Sequence, residues 1–580
     1  MGERLDEFNL EITKPVMNLK RSKSLVWLLW LIPLAFLLVF FYQPLLAIFR
    51  QVFSERFSQG WQFFSWAQIT KPLGFTFWQA TLSTFFTLLI GLPAAYLFAR
   101  FDFFGRKTLR SISILPFILP TVVVATAFNS LIGPKGWLNL ILMNLFNLNN
   151  PPVNLLNSIP AIVLAHVFFN TSIVIRMVGN SLSRLNPHYD EAARVLNASP
   201  WQAFREVSLP LLLPSILGAS LLVFLFDFTS FGVVLMLGGP QFATLEVEIY
   251  NQAMNRFNLP MAGLLSVIQL AFTLIITTIQ NRLSKPRFGK AALSSETKTL
   301  KKPKTKWQKI FVVFMVIILI ILFVSPILSL VSRSLVTFEA ARGERGSVET
   351  GFTLRYYTEL FKNTSGSIFY ANPLAAIRNS LVYSLLTMLI ATTLGLLTAY
   401  ALANSNKANR WLEPLFMLPL GASPVILGLG FLISFNQPPW TSGPYPILIP
   451  IAHSLIALPF VVRTILPALQ SIPNSLREAA SVMSAKPFRV FLEVDLPILL
   501  RAIIVSLAFS FTISLGEFGA SSFLANARTP TIPVTIFRYL SHPGALNYGQ
   551  ALAMSTLLLI TSALGSLLIE KIRLPGEELF

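Results

Sequence analysis

Glu191-Ala-Ala-Arg-Val-Leu-Asn-Ala-Ser-Pro-Trp-Gln-Ala-Phe-Arg-Glu-Val-Ser-Leu-Pro210 returns 287 positions later, without a gap, as Glu478-Ala-Ala-Ser-Val-Met-Ser-Ala-Lys-Pro-Phe-Arg-Val-Phe-Leu-Glu-Val-Asp-Leu-Pro497. Each copy is a polar, charged segment set between long apolar runs. A chain that spends most of its length in hydrocarbon has thus put one short amphipathic unit into water on each half. Such a unit is suited to touching something soluble.

The local pattern predicts helix, turn, helix. In the first copy Asn186 can cap and Pro187 sits where a first helical turn tolerates a missing N–H, so a helix is expected through Glu191 to about Leu196. Asn197 then turns the chain. Ser199-Pro-Trp-Gln202 restarts a helix with a capping-box pattern, and Trp201, Phe204 and Val207 recur at helical spacing. The second copy keeps Phe488, Phe491 and Val494 but has Lys486 before Pro487, so its second helix is expected to start less firmly.

Glu-Ala-Ala, a turn residue after three more positions, and a closing Leu-Pro resemble the cytoplasmic coupling loop of binding-protein-dependent ABC importer permeases of type I. The resemblance implies that Glu191, Ala192, Ala193, Asn197, Leu209 and Pro210, with Glu478, Ala479, Ala480, Ser484, Leu496 and Pro497, couple the chain to an ATPase. It implies two copies of a cytoplasmic ABC ATPase, carrying ATP and Mg, and an extracytoplasmic solute-binding protein as partners. No cofactor is expected on this chain. In that family the turn residue is usually Gly. Asn197 tolerates the left-handed conformation that Gly supplies, and Ser484 does so less readily, so the second turn is expected to differ in geometry.

Composition sets the same frame. Of 580 residues, 54% are hydrophobic and 12% charged, with a mean hydropathy of +0.65. That is too apolar for a soluble multidomain protein and long enough for about a dozen spans of roughly 20 residues in a lipid bilayer. The net charge of +20 gathers in loops between apolar runs, which is how topology is written, and argues against a nucleic-acid partner. The absence of cysteine excludes a disulfide framework, a thiolate metal site and a Cys nucleophile.

The expected fold is all-α and membrane-integral, with about 12 transmembrane helices in two parallel homologous six-helix halves. A first half is expected over residues 1–284 (core about 76–281), a basic linker over 285–309 and a second half over 310–580 (core about 376–570). Basic residues crowd the turn 100–110, the repeated segments and the linker, whereas the stretch 133–158 holds only Lys135. The positive-inside rule therefore puts the repeated segments and both termini in the cytoplasm. The resemblance makes the membrane a bacterial plasma (inner) membrane crossed by a multi-pass chain. His166 and Arg176 match His453 and Arg463 at the same offset of 287, as Phe231-Gly232 matches Phe518-Gly519.

Four ionisable residues inside the spans are pathway candidates: Asp227, Glu517, His166 and His453. Intramembrane carboxylates are costly unless they face a cavity or a partner, and a negative pair suits a cationic solute. The competing expectation is that they are structural hydrogen-bonding groups.

Enzymatic chemistry is not expected. The one Gly-Lys pair, Gly289-Lys290, lacks the phosphate-cradling context, so ATP hydrolysis is assigned to a separate subunit. The alternative is a twelve-span secondary transporter driven by an ion gradient, which also has two parallel six-span halves. Fused halves with Ser514-Leu-Gly-Glu-Phe-Gly519, Thr529-Pro-Thr-Ile-Pro533 and Pro543-Gly-Ala-Leu-Asn-Tyr-Gly-Gln550 look like permeases of thiamine and iron(III) importers. The solute itself is not written in these stretches.

Overall fold

Apolar runs long enough to cross a bilayer must satisfy their own backbone polar groups, and helices are the local solution. The computed structural model describes residues 23–53, 66–185, 188–283, 300–337, 351–362, 372–404, 409–435 and 446–572. Among these, ten helices are long and apolar enough to cross a membrane, or twelve if each of two bent pairs counts as one span. Both termini and most of the linker lie outside the described residues. The linker's end pairs with the turn after the second span: Lys301 N–H donates to Arg100 O and Asp102 N–H to Lys301 O. Thr305 and Gln308 then form a capping box that starts the helix Lys306–Ser334.

Two of the expected spans are broken. The first half's third span bends by 111° between Arg106–Ile118 and Thr121–Phe146. Its second-half counterpart bends by 92° between Leu412–Pro419 and Pro424–Phe435. Pro120 and Pro424 remove the N–H groups that would carry each helix across the break. The fifth spans also stop early. Leu209–Phe228 and Leu496–Gly516 end before the short helices Gly232–Leu237 and Gly519–Leu524.

The chain forms two compact units that interleave its sequence halves. One holds the described residues of Met1–Gln51, Ser365–Thr535 and Ile560–Phe580, the other those of Val52–Thr364 and Ile536–Leu559. In the former, the first helix of the chain, Lys23–Leu37, packs on Pro373–Asn404. In the latter, Lys306–Ser334 packs on Thr121–Ile132. Each half's first helix therefore belongs to the other half's core.

Within each unit the second, fourth and fifth spans form a bundle. Ala67–Arg100 packs on Ile159–Arg184 and Leu209–Phe228, and Pro373–Asn404 on Leu448–Gln470 and Leu496–Gly516. Small residues set the approach. A Cβ added at Gly91 meets Val174 Cβ at 2.7 Å, and one added at Gly395 overlaps Val461. Lipid supplies no hydrophobic drive between helices, so such close backbone packing is a principal source of helix–helix attraction. The next helices, Leu245–Tyr250 and Ile532–Ser541, are each held at their start by a hydroxyl from the second span: Thr76 Oγ1 accepts from Leu245 N–H at 2.9 Å, and Ser380 Oγ from Ile532 N–H at 2.8 Å.

A two-residue antiparallel ladder, Val336–Thr337 with Gly351–Phe352, follows the second half's first span.

Candidate functional site

In both copies of the repeated segment a short helix, His188–Val195 or Asn474–Val482, is closed by the same device. Asn197 has φ 63° and Ser484 φ 61°, and the N–H groups of Ala198 and Ala485 reach back to Ala193 O and Ala480 O at 3.1 Å each. This is a six-to-one cap with a left-handed residue at its centre. The expected difference in turn geometry is therefore absent: the backbone bonds hold Ser484 where Gly would sit most easily. Asn186 and Pro187, expected to begin the first helix, lie outside the described residues.

The second helix of each copy runs into the fifth span through one wide turn. Leu209 N–H bonds to Phe204 O, and Leu496 N–H to Phe491 O, both five residues back. The reason lies in the next residue. Pro210 and Pro497 have no N–H to give and their rings clash with the carbonyl four residues earlier, so the helix opens by one residue to pass them. The closing Leu-Pro of the motif thus sets the angle at which the segment leaves its span.

The expected capping box is present in the first copy: Gln202 N–H donates to Ser199 Oγ at 3.2 Å and Ser199 N–H to Gln202 Oε1 at 2.8 Å. Lys486 makes no side-chain cap. Sequence reading missed what replaces it. Arg477 Nε donates to Asp495 Oδ1 at 2.7 Å, and Tyr400 Oη to Asp495 Oδ2 at 2.9 Å, with Arg477 and Asp495 both buried. The signal was available, because the first copy has Asp190 and Ser208 at these two positions.

The surface of both segments is apolar in the same places. Val195, Leu196 and Trp201 are 66–83% exposed, and Val482, Met483 and Phe488, at the equivalent positions, 70–85%. Glu478 and Ala479 are exposed beside them, as is Ala192. The Glu191 side chain lies outside the described residues. Leu209 and Leu496 are half-buried, and Pro210 and Pro497, at the head of their spans, are both exposed.

The four intramembrane candidates form one buried cluster in each half. In the first, His166 Nδ1 lies 3.4 Å from Asp227 Oδ1 and 3.0 Å from Ser83 Oγ, while Nε2 lies 2.8 Å from Ser230 Oγ. Asn170 donates to Asp227 Oδ1 at 2.7 Å, and Gln79 to the Asp227 carbonyl at 2.6 Å. In the second, His453 Nδ1 lies 2.8 Å from Ser514 Oγ, and Nε2 3.1 Å from Glu517 Oε2 and 2.9 Å from Ser521 Oγ. Glu517 also accepts the N–H groups of Ala520 and Ser521, which begin the helix Gly519–Leu524. Each His therefore bonds across the break that ends the fifth span of its own half. Among the described residues no cluster of three or more His, Asp or Glu has metal-binding geometry.

The chain matches the family described as binding-protein-dependent transport system inner membrane component twice, over residues 87–290 and 391–573. Curated relatives cover most of it. It is 26% identical to the thiamine transport system permease protein ThiP of Haemophilus influenzae over 84% of this chain and 86% of that one. It is 26% identical to the protein of that name from Brucella suis (80% and 81%) and 24% identical to the one from Escherichia coli (87% and 88%). A gradient-driven secondary transporter is not favoured by these matches. With two matching regions, two homologous helical halves and the repeated segment between the fourth and fifth spans of each, the chain belongs to the binding-protein-dependent transport system inner membrane components, the permeases of ABC importers of type I, in a fused two-half form.

Proposed function

We propose that this chain is the complete membrane channel of a thiamine importer, powered by two copies of a separate ABC ATPase that dock on residues 191–210 and 478–497. The observation that carries the docking is the pair of equivalent apolar patches around Val195, Leu196 and Trp201 and around Val482, Met483 and Phe488, each beside a Glu-Ala-Ala run. Contiguous exposed apolar side chains next to charged ones mark protein interaction sites. The Ala pairs allow close approach and the Glu pair supplies charge-assisted hydrogen bonds. ATP and Mg belong to the ATPase, and an extracytoplasmic binding protein delivers the solute. The docking segments and both termini face the cytoplasm of a bacterium, in keeping with the basic turns that flank them.

Thiamine is favoured by the relatives named for it. The buried His and carboxylate clusters are assigned to bracing the fifth-span breaks, because both imidazoles and the Glu517 carboxylate are bonded to partners of the same half. The test is uptake into proteoliposomes holding the chain, the ATPase and the binding protein encoded with it. Thiamine uptake that requires ATP on the ATPase side is expected. Uptake of ferric ion with no uptake of thiamine would move the assignment to iron.

A further inference from the structure

The two docking segments share a backbone, and the second is anchored by residues that the first does not have. In the second, Asp495 sits at the wide turn, buried between Arg477 of the first short helix and Tyr400 of the second span. Arg477 reaches on to Leu469 O, at the end of the fourth span, at 3.5 Å. The Tyr400 ring stands edge-on to Phe491 at 5.7 Å, and Tyr400 packs with Leu469, Ile472 and Leu499. One ion pair with its tyrosine thus ties the segment to three spans. The first segment cannot build this. Ser208 replaces Asp495 and Asp190 replaces Arg477. Tyr96, which corresponds to Tyr400, is half exposed and meets Phe101 and Phe311 instead.

We propose that Arg477, Asp495 and Tyr400 are positioning residues that make the second docking segment move as one body with its spans. The inference rests on the docking reading given above. A buried, hydrogen-bonded ion pair is a geometric constraint more than a source of stability, which suits a part that must transmit displacement. Motion of the ATPase copy seated on that segment is then delivered stiffly to the second half.

The chain has no cysteine, so a nitroxide at Val195→Cys or at Val482→Cys, equivalent and equally exposed sites, reports each segment cleanly. In the permease alone the label at 482 is expected to be ordered. Arg477→Gln with Asp495→Asn, which removes both charges together, is expected to raise its mobility at least twofold and leave the label at 195 unchanged. Tyr400→Phe gives a smaller change in the same direction and guards against misfolding of the double variant. In the assembled transporter, with thiamine as the probe, the double variant is expected to keep both ATPase copies but to hydrolyse severalfold more ATP per molecule delivered. A freed label with an unchanged ratio overturns the transmitting role. If the ATPase orders both labels while neither variant moves the label at 482, docking stands and the latch is overturned. If the ATPase changes neither spectrum, the docking reading fails, and the transmission with it.

Discussion

His453 meets Glu517 through its Nε2, whereas His166, at the equivalent position, faces Asp227 through its Nδ1. Aligned at the offset of 287, Asp227 corresponds to Ser514 and Ser230 to Glu517. Acid and hydroxyl have exchanged places one helical turn apart, and each imidazole still bridges one of each. What the two halves share is the bracing of a helix break, and the position of the charge is free to differ.

Substitutions at the two acids should therefore differ in cost. Asp227→Asn keeps the oxygen that accepts from Asn170, and Oδ2 makes no hydrogen bond among the described residues. Its melting temperature and its uptake per folded molecule are expected to stay near wild type, while Asp227→Ala, which strands Asn170, is expected to lose about 1–3 kcal/mol. Glu517→Gln replaces one of two occupied acceptors with a donor and should lose about 1–2 kcal/mol. Thermal unfolding in detergent beside uptake in proteoliposomes measures both. Loss of uptake in a normally stable Asp227→Asn variant would place that carboxylate on the solute path.

Ser484 holds φ 61° without the freedom of glycine. Ser484→Gly is expected to stabilise the second turn by about 1 kcal/mol, and Asn197→Gly to change little, because Asn already tolerates the left-handed region. Slower amide exchange at Ala485, with Ala198 unchanged, is the expected readout.

Gly91 and Gly395 are points where the second and fourth spans pack too tightly for an added Cβ. Gly91→Ala and Gly395→Ala push a methyl into Val174 and Val461 and are each expected to cost about 1–3 kcal/mol of stability. Pairing each with Val174→Ala or Val461→Ala should recover part of the loss. Melting of the four single and two double variants checks this.

Much of the architecture was legible in the chain. The gapless repeat fixed the relation of the halves, the Ser199 to Gln202 spacing announced its capping box, and hydropathy found the spans, though it ran the fifth ones on past their ends at Phe228 and Gly516. The breaks at Pro120 and just before Pro424 were read through, because hydropathy does not sense direction and an apolar run stays apolar when it bends. The exchange of first helices between cores was hidden for a related reason: apolar helices carry little information about which apolar neighbour they choose. Ser484 was misjudged because a local propensity of about a kilocalorie yields to two backbone hydrogen bonds. Arg477 and Asp495 look like ordinary loop charges until their counterparts Asp190 and Ser208 are set beside them.

The central claim is that the repeated segments are the seats of the ATPase. Glu191→Lys with Glu478→Lys reverses both charges and removes charge-assisted hydrogen bonds worth about 1.5–3 kcal/mol at each seat. The direct measurement is the yield of the ATPase encoded with this chain when the detergent-solubilised permease is captured. Two copies of ATPase per wild-type permease and near-complete loss from the double variant, with an unchanged melting temperature, are predicted. Capture of the ATPase at wild-type yield by the double variant, with normal ATP-driven uptake, would contradict the account.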